Sequence, residues 1–98
     1  MKQIEAVIHR LKLQEVRDAL VEMGIDDFME SAILCHQKGR TMMFRGATFV
    51  ADIVEKVKLE IIAADDSVTK IIEAIGSITG TGRKDDCRIA IRPYLEVT

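Results

Sequence analysis

Residues 55–78 read EKVKLEIIAADDSVTKIIEAIGSI, and the spacing of their apolar side chains changes halfway along the segment. The first half alternates apolar and charged residues, which is typical of a strand with one buried face. Its apolar positions are Val57, Leu59 and Ile61. The second half starts with two aspartates, which suit the N-terminus of a helix, and then repeats apolar residues at helical spacing. The buried stripe of this helix is predicted at Val68, Ile71, Ile72 and Ile75.

The N-terminal residues show the same change of period. Residues 2–11, KQIEAVIHRL, predict a strand with Ile4, Ala6 and Ile8 on its buried face. Residues 12–24, KLQEVRDALVEMG, predict a helix that is followed by Gly24, the residue type preferred just after a helix ends. The apolar stripe of this helix comprises Leu13, Val16, Ala19, Leu20 and Met23.

Two further strands complete the pattern, at residues 28–35 (FMESAILC) and residues 88–97 (RIAIRPYLEV). The resulting order predicts an α+β, ferredoxin-like βαββαβ fold in a single domain, residues 1–98. Its four-stranded antiparallel sheet would carry both helices on one face. The other face has some apolar residues, and oligomerisation is one way to cover them. These residues are Val7, Ile62 and Ala90.

Composition restricts the classes of function. The net charge of −2 gives no reason to expect binding to nucleic acid or to an anionic membrane. No apolar run approaches the roughly 18 residues of a membrane span, so no direct membrane insertion is expected. Residues 1–13 do not resemble a signal peptide. Cys35 and Cys87 form no CxxC motif and are expected to be free thiols in a reducing cytoplasm.

The segment HQKGRTMMFRGATF, residues 36–49, shows neither a helical stripe nor a clean strand alternation, and it predicts a long irregular loop. Lys38, Arg40 and Arg45 could bind phosphate or carboxylate groups. Four neighbouring apolar residues would give the loop a surface suited to docking on a protein: Met42, Met43, Phe44 and Phe49. The alternative is a mobile excursion of a hairpin without a binding role.

The segment TGTGRKDDCR, residues 79–88, predicts a loop that could bind an anion. Gly80 and Gly82 permit tight turns in which successive backbone amides surround an anion. Charge-assisted donors are available from Arg83, Lys84 and Arg88. The alternative is an ordinary helix-to-strand turn, because Asp85 and Asp86 partly cancel the positive charge and no complete phosphate-binding motif is present.

A soft-metal site is a further alternative. Cys35 and His36 are adjacent, and Met42 and Met43 follow, which is a donor set that could hold Cu(I), Ag(I) or Zn(II). Isolated cysteines and methionines are more often packed in cores, and the spacing matches no zinc motif. No Ser/His/acid constellation is visible, and Asp65 and Asp66 suit helix capping better than acid–base chemistry. The chain is therefore not expected to be an enzyme.

Three segments together resemble the PII signal-transduction family, over nearly the whole chain. Residues 37–61, QKGRTMMFRGATFVADIVEKVKLEI, resemble the T-loop and the following strand of that family. Residues 1–25 resemble its first strand and helix, and residues 81–89, TGRKDDCRI, partly match its B-loop. The resemblance implies a T-loop at about residues 36–54 and a B-loop at about residues 79–88.

The resemblance also implies a function. PII proteins are ferredoxin-like homotrimers that bind adenine nucleotides in the clefts between subunits, often with Mg²⁺ and 2-oxoglutarate. Their T-loop controls a membrane transporter or a metabolic enzyme. By position, the nucleotide residues would be Gln37, Glu60, Ile62, Gly82, Arg83, Asp85, Asp86, Cys87 and Arg88. The T-loop and effector residues would be Lys38, Arg40, Arg45, Phe49 and Lys56, the last pairing with 2-oxoglutarate.

Several positions depart from the family pattern. Phe49 replaces the tyrosine that some members uridylylate, and it has no hydroxyl to modify. Asp85 and Cys87 replace two B-loop glycines, and Met29 stands where a threonine commonly contacts adenine. With these departures, the resemblance implies a divergent trimeric regulator that binds ATP, ADP or AMP. The alternatives are a soft-metal regulator linked to metal efflux and a trimer that binds protein without nucleotide.

Overall fold

A computed structural model of the chain describes residues 1–80 and 87–98, apart from the side chains of residues 37–44 and 49–52. The first half comprises β1 (Lys2–His9), a short 3₁₀ turn (Arg10–Lys12), α1 (Leu13–Glu22) and β2 (Phe28–Phe44). The second half comprises β3 (Ala47–Ala63), a 3₁₀ turn (Asp65–Ser67), α2 (Val68–Thr79) and β4 (Cys87–Pro93). The predicted βαββαβ order is therefore confirmed.

The strands form one antiparallel sheet in the order β2-β3-β1-β4. The register pairs Ala6 of β1 with Leu59 of β3 on one side and with Ile89 of β4 on the other. The two central strands are thus the first of each βαβ-like half, as the ferredoxin-like arrangement requires.

The hydrophobic core lies between one face of the sheet and the two helices. Ile4, Ala6 and Ile8 of β1 are completely buried, and Val57, Leu59 and Ile61 of β3 pack beside them. The helices contribute Val16, Leu20, Ile71 and Ile75 to the same cluster. Each large apolar side chain buried in this way contributes about 1.5–3 kcal/mol of transfer free energy. Both helices therefore cover the same face, as predicted, although Met23 of the predicted stripe is 36% exposed.

The segment predicted to be an irregular loop is instead an extension of β2 and β3. These strands have 17 residues each, and their pairing continues from Phe28 opposite Ile61 to Phe44 opposite Ala47. The register shifts once, between His36 and Arg40. Arg45 and Gly46 close the hairpin with φ values of 52° and 78°, as a two-residue turn with positive φ at both central positions requires.

The residue after α1 has the conformation that the sequence predicts, whereas the start of α2 lacks the expected capping bond. Gly24 follows α1 with a φ of 81°, the left-handed conformation that favours glycine after a helix. Asp65 and Asp66, by contrast, lie in the second 3₁₀ turn, and neither Ala64 nor Ser67 makes a side-chain capping bond. Asp65 pairs with the N-terminal amino group at 3.2 Å. The two aspartates therefore lie at the N-terminal end of the helix, as predicted, but no side-chain capping bond forms at either cap position.

Candidate functional site

The face of the sheet opposite the helices carries most of the predicted site residues that the structure describes. Because side chains alternate along a strand, Lys56, Lys58, Glu60 and Ile62 of β3 point away from the buried Val57, Leu59 and Ile61. We call this surface the open face. Val7, at its centre, is only 8% exposed in the single chain, and Ile62 and Ala90 are half-buried. The three apolar residues that the sequence predicts for this face therefore lie on it, and each is at least half-buried by its neighbours in the single chain.

Polar contacts hold Glu60 in a defined position on the open face. The side-chain amide of Gln3 donates to one carboxylate oxygen of Glu60 at 3.0 Å, and the ammonium of Lys58 lies 3.6 Å from the other. Arg92 of β4 forms an ion pair with Glu5 of β1 beside them. Both oxygens of Glu60 therefore already have partners, and the carboxylate is oriented before any ligand binds.

A recess of about 260 Å³ opens at one end of the open face, where four parts of the chain meet. It brings together two of the nucleotide residues that the family resemblance implies, Glu60 and Ile62. Met29, which is 58% exposed, forms another wall. The complete lining is Met1, Asp27, Phe28, Met29, Glu60, Ile62, Tyr94 and Glu96. The recess therefore combines apolar and aromatic walls with a carboxylate-rich rim.

Tyr94 is an aromatic lining residue that sequence reasoning missed. It lies directly after Pro93, which pairs with Lys2, and its backbone N–H donates to the carbonyl of Met1 at 3.2 Å. This continuation of the β1–β4 pairing brings the half-buried tyrosine ring to the recess. No local motif marks the residue, since only the register between two strands distant in sequence places it there.

Arg88 lies on the open face away from the recess. It is exposed and pairs across the sheet with Val7. No carboxylate whose side chain the structure describes forms an ion pair with it, unlike Arg92 two positions further on. Its guanidinium can therefore bind an anionic ligand without first breaking an ion pair in the described part of the chain.

Cys87 and Lys56 occupy different environments. Cys87 starts β4 opposite Ile8, and its side chain packs against the core, so any ligand contact on the open face would come from its backbone. Lys56 lies opposite His9 on β1 and Ile33 on β2, at the point where β1 ends and only β2 continues to pair with β3. Lys56 is half-buried there.

The remaining predicted residues divide into two groups. Gly82, Arg83, Asp85 and Asp86 lie outside the described residues. The extended hairpin contains Arg45 in its exposed turn, together with four residues whose side chains are outside the description: Gln37, Lys38, Arg40 and Phe49.

Strand geometry separates two of the predicted soft-metal donors, Cys35 and His36. Cys35 and His36 are consecutive residues of β2, opposite Val54 and Ile53 respectively, so their side chains point to opposite faces of the hairpin. The side chains of Met42 and Met43 are outside the description. No group of three His, Cys, Asp or Glu residues that could hold a metal ion occurs among the residues described.

An ion pair on the helix side fixes the strand that carries Met29. Arg17 of α1 donates two hydrogen bonds, each 2.6 Å long, to the two carboxylate oxygens of Glu30 on β2. These hydrogen bonds hold the pKa of Glu30 below its usual range and raise the pKa of Arg17. Because Glu30 follows Met29, the pair anchors β2 against α1 while the preceding side chain faces the recess.

A larger groove, of about 630 Å³, lies beside the start of α1 and the base of the hairpin. Its apolar walls include Leu13, Ala32 and Leu34, and Leu34 is 63% exposed. Of the predicted site residues, this groove includes only Lys56. Its size alone therefore does not make it the candidate site.

None of the helices described has the length and apolarity that crossing a membrane requires.

Comparison with known proteins shows which family the chain resembles. The family model described as nitrogen regulatory protein P-II matches residues 1–93. A nitrogen regulatory protein P-II of Azospirillum brasilense is 43% identical over 99 aligned residues, covering 99% of this chain and 88% of its own length. Proteins with the same description from Rhizobium meliloti and Pyropia yezoensis are 41% and 42% identical, covering 99% and 93% of this chain and 88% and 83% of their own lengths.

Proposed function

The chain belongs to the P-II family of nitrogen regulatory signalling proteins, and we propose that it is a trimeric regulator controlled by an adenine nucleotide. The nucleotide binds on the open face, with its base in the recess beside Glu60 and Ile62. One observation carries this proposal: Glu60, Ile62 and Met29 line the same recess, and a hydrogen bond from Gln3 already orients the carboxylate of Glu60.

The size of the recess supports a site that needs more than one surface. Pockets that enclose a whole small-molecule ligand usually measure about 300–1,000 Å³, whereas the recess measures about 260 Å³. It therefore accommodates a ring system but not the ribose and phosphates as well. A neighbouring subunit in a trimer supplies the rest of the site. Arg88, which has no ion-pair partner in the described part of the chain, binds the phosphates.

The extended hairpin supports control of a partner protein. Pairing between β1 and β3 ends at His9 and Lys56, so beyond that point β3 pairs with β2 alone. A two-stranded hairpin has little stability of its own, and contact with a protein surface would stabilise it. We propose a membrane transporter or a metabolic enzyme in the cytoplasm as the target.

Isothermal titration calorimetry with ATP, ADP and AMP, each with and without Mg²⁺, tests nucleotide binding. We expect saturable binding near one site per subunit, and light scattering should give the mass of three 11.0 kDa chains. Arg88→Gln should weaken binding about 10- to 100-fold, because a charge-assisted hydrogen bond contributes about 1.5–3 kcal/mol.

Arg92→Gln is the matched control, since Arg92 lies on the same strand and face but already pairs with Glu5. It should keep the affinity of the unmodified protein. The proposal is wrong if none of the three nucleotides gives saturable heat, or if the two arginine variants bind equally well.

A further inference from the structure

The structure points to an aromatic contact for the base, and we propose that the ring of Tyr94 forms the wall of the recess against which the base stacks. This inference rests on the proposed nucleotide function and adds a specificity residue that the family resemblance does not assign. It concerns the base alone, whereas the predicted arginines concern the phosphates.

The position of Tyr94 is set by backbone contacts and not by the ligand. Its N–H donates to the carbonyl of Met1 at 3.2 Å, immediately after the last pair of β1 with β4. The ring is half-buried, while the next residue, Leu95, is 87% exposed and does not line the recess. The ring is thus available at the recess before binding, and little conformational entropy is lost when a base contacts it.

The chemistry of the remaining walls suits a heteroaromatic ring. Met29 and Ile62 supply apolar surface, and the methionine thioether makes favourable contacts with aromatic systems. Asp27, Glu60 and Glu96 supply carboxylate oxygens, which accept hydrogen bonds from ring amino groups. A flat base with an exocyclic amino group satisfies both kinds of wall, whereas a bare phosphate would face three carboxylates.

The intrinsic fluorescence of the unmodified protein provides a direct test. The chain contains one tyrosine and no tryptophan, so its fluorescence reports on Tyr94 alone. Titration with ADP should quench the emission with the midpoint found by calorimetry. Inorganic tripolyphosphate, which has no base, should leave the emission unchanged. N-acetyltyrosinamide at matched ADP concentrations corrects for light absorbed by the nucleotide.

Substitutions give an independent test of the same contact. Tyr94→Ala should bind ADP about five- to tenfold more weakly, because the stacking contact with the base is lost. This is the lower part of the usual range for loss of base stacking, since the ring is only half-buried. Tyr94→Phe should bind within about twofold of the unmodified protein, because the ring is kept. Leu95→Ala should bind normally, and tripolyphosphate affinity should be the same in all four proteins.

The possible failures are distinguishable. If the unmodified protein binds no nucleotide, the proposed function and this inference are both wrong. If it binds ADP but Tyr94→Ala binds as tightly, or if ADP leaves the tyrosine emission unchanged, only the aromatic contact is wrong. Should Tyr94→Ala fail to fold by circular dichroism, the fluorescence titration of the unmodified protein decides the question.

Discussion

Gly80 follows the last residue of α2 and lies within the predicted B-loop, and it provides a test of the packing there. A Cβ atom placed on Gly80 would lie closer to the carbonyl oxygen of Gly76 than such atoms approach in proteins. The backbone N–H of Gly80 donates to that same oxygen at 2.7 Å. Its φ of −75° and ψ of 97° are accessible to any residue, so the glycine is required by the close contact and not by the backbone conformation.

The magnitude for Gly80→Ala follows from three terms. Overpacking costs about 1–3 kcal/mol, and loss of the hydrogen bond costs about 0.5–1.5 kcal/mol. Replacing glycine restricts the unfolded chain and returns about 0.4–1 kcal/mol. A net loss of about 2 kcal/mol is therefore expected, which lowers the Tm of a domain of this size by about 8–16 °C.

Differential scanning calorimetry of Gly80→Ala beside Gly76→Ala measures the effect. Gly76 lies inside α2, and a Cβ placed there meets nothing within 4 Å. Alanine at this position should raise stability by about 0.5–1 kcal/mol, because glycine is unfavourable within a helix. The two substitutions thus have opposite expected signs on the same helix. The reasoning about the close contact is refuted if Gly80→Ala unfolds at or above the Tm of the unmodified protein.

Two further predictions concern stability. Because the folded-state pKa of Glu30 is lowered, the Arg17–Glu30 pair stabilises the fold above the ordinary glutamate pKa of about 4.3, and this contribution disappears as the pH falls through the lowered value. The difference in Tm between the unmodified protein and Glu30→Gln should therefore shrink with acidification, and a difference that is constant with pH would contradict this. Leu59→Ala should cost about 2–5 kcal/mol in urea denaturation, since Leu59 is completely buried. Leu95→Ala, at a position 87% exposed, should change stability by less than about 0.5 kcal/mol.

The central strands and helices could be predicted because each has one buried face. Ile4, Ala6 and Ile8 alternate with polar residues, and all three are completely buried in the sheet. Ile71 and Ile75 are one helical turn apart and lie in the same core. For these elements the apolar period follows directly from burial, so the sequence pattern and the structure carry the same information.

The hairpin was mispredicted because this reasoning does not apply beyond the core. Between the turn and Lys56, β3 pairs with β2 alone, and none of the side chains described there is buried. No buried face therefore imposes an alternation on the sequence of the hairpin. Arg45-Gly46 is also a weaker turn signal than Asn-Gly, because arginine seldom adopts a positive φ. The strand-forming residues on either side of that dipeptide were the available indication.

The recess could be predicted only in part, because it is assembled by strand register. Glu60 and Ile62 were assigned through a linear resemblance, but Tyr94 enters through the pairing of Lys2 with Pro93, and Met29 enters through its pairing with Glu60. A shift of one residue in either pairing would turn the corresponding side chain to the helix face. Local sequence does not encode this proximity. The recess therefore depends on the core residues of β1 and β3, whose burial fixes the register and with it the residues that a ligand meets on the opposite face.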